Sequence, residues 1–203
     1  MVKTILTNQR ACAIEWLQEK LGGEWLEARD ISEILEQSLK EDHHLEGIHR
    51  VYWSLGYCQG DGVAFEGHID VEVLRGHQPE LDEMMSVCEA AAALLGTEFD
   101  IAINRCEVSH HGRYYHENSM DLQFEWDYGT YDSYGGCDQL DAMLEQIRDW
   151  LESYIVRVSR ALEKMGYAEI EYRGSAEYAA EYLDNNPELL AQFQEEQEFP
   201  VGS

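Results

Sequence analysis

The sequence predicts an α+β fold in a single domain, an antiparallel sheet of about five strands packed with a long amphipathic helix and several shorter helices. Three observations carry that expectation. Apolar residues recur at three- and four-residue steps from Leu140 through Leu144, Ile147, Leu151, Ile155, Val158 and Leu162 to Met165, the period of a helix with one buried face. Two pairs of strand-like segments are joined by turn-rich connections. The composition of 203 residues, 44% hydrophobic and 11% aromatic, supplies a sizeable core and excludes a simple acidic disordered chain.

The elements follow in chain order. A first helix is expected from about Asn8 to Leu21, with Ala13, Trp16 and Leu17 on its apolar side and Gly22-Gly23 as its stop. A second begins at Asp30, with Glu33 at the capping-box position and Ile31, Ile34, Leu35 and Leu39 facing inward. Strands are expected over Val51–Tyr57 and Val63–Leu74, joined by Cys58-Gln59-Gly60-Asp61-Gly62. Ile69, Val71 and Val73 alternate there with Asp70 and Glu72, as in a half-buried strand. A helix from Pro79 to about Leu95 leads to a second strand pair, Asp100–Ser109 and Ser119–Asp127, across the polar aromatic loop His110–Asn118.

After the loop Tyr128–Gly136, Asp138 caps the long helix and Gly166 ends it, about 40 Å further along the axis. A short strand, Tyr167–Tyr172, a helix capped by Ser175 and one opened by Asn186-Pro187 complete a domain spanning residues 1–194. Residues 195–203 read as a frayed acidic tail.

Charge sets the limits on function. Fourteen Lys and Arg against 41 Asp and Glu leave a formal net charge of −27, with a pI near 4.4. Recognition of DNA, RNA or an anionic membrane by a general basic surface is excluded, because phosphates are contacted by Lys and Arg. The charge is also segregated. No Lys or Arg lies between Arg113 and Arg148 or beyond Arg173, while acidic residues continue through both stretches. At 100° per residue, Asp138, Asp141, Glu145, Asp149 and Glu152 fall within an arc of about 80° opposite the apolar stripe, over roughly 21 Å of axis. Like charges three and four apart repel by a few tenths of a kcal/mol per pair, so the row has a small cost that a use would explain. The plain alternative is a solvated polar face, partly neutralised by Arg148 and Arg160.

Other residue groups suggest competing chemistry. His110, His111 and His116 share a loop with Glu117, and His43, His44 and His49 form a second group, but the spacing HHxxxxHE fixes no metal geometry. Asp61, between two glycines, is either a carboxylate presented on a turn or the acceptor of an Asx-turn. Tyr128, Tyr131 and Tyr134 with Trp126, interleaved with Asp127 and Asp132, form a candidate protein-binding patch or loop packing. Five scattered cysteines without a CxxC spacing point away from disulfides and zinc knuckles; Cys12 and Cys88 are expected to be small buried residues. No apolar run approaches the length of a membrane span, and the N-terminus lacks an apolar signal segment, which suggests a cytoplasmic protein.

The segment Tyr52-Trp53-Ser54-Leu55-Gly56-Tyr57-Cys58-Gln59-Gly60-Asp61-Gly62-Val63-Ala64-Phe65-Glu66-Gly67, followed by Arg113-Tyr114-Tyr115-His116-Glu117-Asn118-Ser119-Met120, resembles a family of small proteins from bacteriophages and other mobile elements. Members share a QGDGxxFxG and a later YxHENxM segment, and many carry the label of antitoxin of a toxin–antitoxin stability system. The long helix, Glu169-Ile170-Glu171-Tyr172 and a helix with Asn185 near its end extend the resemblance over about residues 48 to 190. It implies a mobile-element origin and interference with host systems. It transfers no catalytic role, and Cys58 stands where members often have Ser, which argues against a needed hydroxyl.

The resulting expectation is a non-enzymatic, cofactor-free inhibitor of antitoxin, anti-restriction or anti-CRISPR type. It would bind a basic, nucleic-acid-binding host protein as a DNA mimic, through Asp138, Asp141, Glu145, Asp149 and Glu152 with Asp127, Asp132, Tyr128 and Tyr131. The competing readings are an enzyme or metal protein built on Asp61, His116 and Glu117, and an adaptor using the aromatic loop.

Overall fold

The computed structural model describes residues 10–20, 28–95, 102–127 and 138–198. In chain order these form α1 (residues 10–20), α2 (Ala28–Glu41), β1 (Ile48–Ser54), β2 (Gly62–His68), α3 (Val71–Arg75), α4 (Pro79–Leu95), β3 (Ala102–His110), a 3-10 turn (Glu117–Ser119), β4 (Met120–Asp127), α5 (Asp138–Arg173), α6 (Ala176–Asn185) and α7 (Glu188–Glu198). The α+β class holds, with four strands among the described residues rather than five. Contacts divide the chain into two compact units, Ser32–Lys164 and the pairing of Met1–Ile31 with Met165–Ser203.

The Ser32–Lys164 unit holds an antiparallel sheet in the order β1-β2-β3-β4. The β1–β2 and β3–β4 hairpins pair along their lengths, but β2 and β3 meet only at Gly67–Val108 and His68–Glu107. Toward its start β2 has the β3–β4 loop as its neighbour instead. The Phe65 amide, lacking a β3 carbonyl, donates to Met120 Sδ at 3.2 Å. Burial explains why this end holds together, since Val63, Ala64 and Phe65 are fully enclosed. The apolar stripe of α5 is almost completely withdrawn from water from Leu140 through Leu144, Ile147, Leu151, Tyr154 and Val158 to Leu162; each buried aliphatic side chain contributes about 1.5–3 kcal/mol. Ser159 lies in that stripe because its hydroxyl donates to the Val63 carbonyl, which keeps a buried polar group satisfied.

In the second unit, Ala13 and Leu17 of α1 pack with Ala179, Leu183 and Phe193 of α6 and α7, with Trp16 and Leu190 at the margin. Arg10 pairs with Asp184 at 2.7 Å. Ser175 caps α6 by accepting from the Tyr178 amide, as its position predicts, and α7 continues to Glu198, four residues into the segment read as a tail.

Several expectations are corrected. Tyr167–Tyr172 is not a strand but the last part of α5, which passes through Gly166 and reaches 36 residues, about 54 Å. Helix-interior glycine costs only about 1 kcal/mol, and the Glu169–Arg173 pair at 2.6 Å supports the added turn. The alternation Tyr167, Glu169, Glu171 fits a strand, but Gly166 and Ile170 also extend the helical period. The second strand ends at His68, not Leu74, because Asp70 accepts from the Glu72 and Val73 amides and starts α3; Leu74 is then buried and Val73 exposed. Helix α2 starts at Ala28, so Asp30 lies in its first turn and pairs with Arg173 at 2.8 Å rather than capping. Cys12 is exposed, since the inward side of α1 is set by Ala13 and Leu17. Cys137 lies outside the described residues.

Candidate functional site

On α5 the acidic row stands where the helical period places it. Asp138, Glu145 and Asp149 are exposed, and Asp141 and Glu152 partly so. Arg148 interrupts it, donating to Glu152 at 3.1 Å and Glu145 at 3.4 Å. Further along, Arg157 lies over the stacked rings of Trp150 and Tyr154, and Arg160 pairs with Glu117. Asp127 closes β4; Tyr128, Tyr131 and Asp132, like Tyr134, lie outside the described residues.

The remaining cations are mostly consumed within the fold. Of the nine arginines with described side chains, seven are ion-paired to carboxylates: Arg10, Arg50, Arg75, Arg105, Arg148, Arg160 and Arg173. Arg75 alone reaches Asp82 at 2.7 Å and Glu89 at 2.6 Å, with Glu72 at 3.7 Å. Carboxylates exceed bases by 27 in the whole chain, so the outward field is negative.

A second arrangement lies where the β1–β2 turn meets the β3–β4 loop. Asp61 Oδ2 accepts from the Gly56 amide at 2.7 Å and the Cys58 amide at 2.6 Å, and Oδ1 from the Ser54 hydroxyl at 2.6 Å. The carboxylate therefore holds the turn from inside, the Asx-type role weighed for it. The turn projects Tyr57, whose φ of 58° is uncommon for a residue with a Cβ, and whose ring is 70% exposed. Opposite, the loop closes through the His116 and Ser119 bonds, and His116 Nδ1 accepts from the Asn118 amide at 3.1 Å, which places its ring proton on Nε2 when neutral.

The two segments touch. Tyr115 donates its amide to the Gly60 carbonyl at 3.4 Å. A Cβ on Gly60 would collide with the Tyr114 ring at 2.3 Å, and one on Gly62 with the Tyr115 carbonyl at 2.6 Å, so both glycines are required by close approach as well as by positive φ. Helix α5 adds a third side. Arg160 donates to Glu117 at 3.0 Å, and Glu163 lies in the fields of Glu117, Asp61, Arg160 and His116. Burial raises the Glu163 carboxyl above its ordinary value, and the charges of Glu117 and Asp61 raise it further. Burial alone would also raise Glu117, but its backbone N–H, the Arg160 guanidinium and His116 together bring it below the usual range.

Sequence reasoning anticipated Asp61, His116 and Glu117 as a group. It missed Arg160, Glu163 and Tyr57: a helical period carries no signal that Arg160 meets a loop 43 residues away. His111 faces Asp121 and His44 stacks on His77. Among the described residues no group of three or more His, Cys, Asp or Glu side chains is arranged to hold a metal ion, and no helix is long and apolar enough to cross a membrane.

Residues 24–178 match the model of a domain of unknown function, DUF8835. Neither a curated protein nor a solved structure matches the chain.

Proposed function

The chain belongs to the DUF8835 family, whose description names no activity, and from the charge geometry we propose a non-enzymatic inhibitor of phage or mobile-element origin. In this reading it acts in the host cytoplasm and occupies a basic, nucleic-acid-binding surface of a host protein. The outward carboxylates of α5 stand in for phosphates. The observation that supports the reading most is that seven of nine described arginines are spent on internal ion pairs, leaving the excess carboxylate charge to face outward. Steps of three and four residues space the row by about 4.5 and 6 Å along the axis, sparser than the 3.4 Å per phosphate of one DNA strand. The reading requires neighbouring acidic elements to complete the field, and Arg148 weakens the row at its middle.

The test is capture of basic proteins from a bacterial lysate at low and high salt, with duplex DNA as competitor. The expected result is capture that falls steeply with salt, is displaced by DNA, and is reduced by the combined Asp138→Asn, Asp141→Asn and Asp149→Asn substitutions. Capture indifferent to salt and to these substitutions rejects mimicry.

One observation favours a second reading, an acid–base site: the QGDG turn and the HEN loop lie in contact, with Glu117 and Glu163 driven apart in proton affinity. Environments that separate two carboxyls assign an acid and a base. Here Glu163 would keep the proton and Glu117 would stay ionised. Carboxyl-resolved NMR titration tests this; a Glu163 that titrates at an ordinary carboxyl value, unmoved by Glu117→Gln, ends it.

A further inference from the structure

Within the Ser32–Lys164 unit, the segment after β2 meets α4, β3 and α5 around a half-open cavity of about 340 Å³, room for roughly ten waters at ~30 Å³ each. Neither the acidic face of α5 nor the turn junction uses it. One side is hydrocarbon, formed by Met85, Ile103, Leu144 and Ile147 together with the thiols of Cys88 and Cys106. Both thiols are buried, and burial pushes the Cys106 thiol up to about 12. They are therefore neutral walls rather than nucleophiles. Water is held poorly on such a side, because each molecule needs two to four polar partners.

The remaining lining is His68, Ile69, Val71 and three carboxylates, Asp70, Glu72 and Glu89. One guanidinium, Arg75, serves Glu72 and Glu89 and is shared with Asp82. Asp70 is bonded to the Glu72 and Val73 amides, which leaves its charge in place. The polar side is thus net negative, in a chain whose whole field concentrates cations and repels anions.

We infer that this cavity is a binding site for a small organic monocation with an apolar body, an alkyl- or arylammonium, seated with its hydrocarbon on Met85, Leu144 and Ile147 and its ammonium toward Glu72 and Glu89. A volume of this size suits a small ligand, and an apolar wall with a few carboxylates selects charge as well as shape. An anionic amphiphile of the same length meets like charge, and a neutral one gains only the wall.

The experiment uses the full chain and three six-carbon probes: hexylammonium, hexan-1-ol and hexanoate. Calorimetry is expected to rank hexylammonium above hexanol by about fivefold, the scale of one partly exposed charge pair, with hexanoate weaker than both. Glu72→Gln, a change at a side chain 72% exposed, removes most of the preference for amine over alcohol without weakening hexanol. Ile103→Phe, which fills the space, abolishes binding of both, its folding being verified by circular dichroism. Equal binding of all three probes, or absence of binding, overturns the assignment.

Discussion

Arg160 of the long helix donates to Glu117 of the HEN loop at 3.0 Å, joining two segments that the sequence keeps far apart. The guanidinium is 64% exposed and the carboxylate 18%, so the pair is worth no more than about 1 kcal/mol. Arg160→Ala is expected to lower stability by that amount or less, and to move the Glu117 carboxyl upward. NMR titration of the glutamate side chains checks the second effect, which loss of packing alone does not produce.

Asp61→Ala removes an acceptor shared by the Gly56 and Cys58 amides and the Ser54 hydroxyl. The expected loss is about 2 kcal/mol, read by urea unfolding. Asp61→Asn keeps one carbonyl oxygen for the two amides and turns its NH2 to the Ser54 hydroxyl, which then accepts, but it loses the charge that strengthens these bonds, so it recovers only part of that loss. Proteolysis of the turn at Tyr57 should accelerate in both.

Gly62→Ala places a methyl against the Tyr115 carbonyl at 2.6 Å, at a φ of +147°. Backbone cannot yield as a flexible side chain does, so a cost of about 1–3 kcal/mol is expected. Amide exchange should quicken first in residues 113–119, since that loop is what the new atom displaces.

Glu163 and Glu117 should give opposite pH signatures. The Glu163 carboxyl is raised in the fold, so the native state binds its proton more tightly than the unfolded chain. Stability is lost as pH rises through the raised value. Glu163→Gln removes that loss, raising Tm at neutral pH and changing little below about pH 4, where both side chains are neutral. Glu117 is lowered, so its contribution is present above its unfolded value and fades as pH falls through the folded one. Glu117→Gln therefore lowers Tm at neutral pH and matches the parent in acid. Thermal melts from pH 3 to 8 distinguish the two; melts that shift in the same direction contradict the geometry.

What the sequence alone determined is local. The period of α5, the Ser175 cap, the glycines of the turn and the acidic row on the helix surface follow from spacing and residue type, because each depends on neighbours within one or two turns. Where two local patterns competed, tertiary context chose. Tyr167–Tyr172 alternates like a strand yet continues α5, and Val71 to Arg75 became a helix once Asp70 bonded its first amides. The turn junction depended on structure altogether. The Asp61 turn, the HEN loop and Arg160 with Glu163 come together only because α5 packs along β2, and β2 leaves β3 after two residue pairs. That gap accepts the loop, and a gap between strands is a property of packing rather than of any one segment.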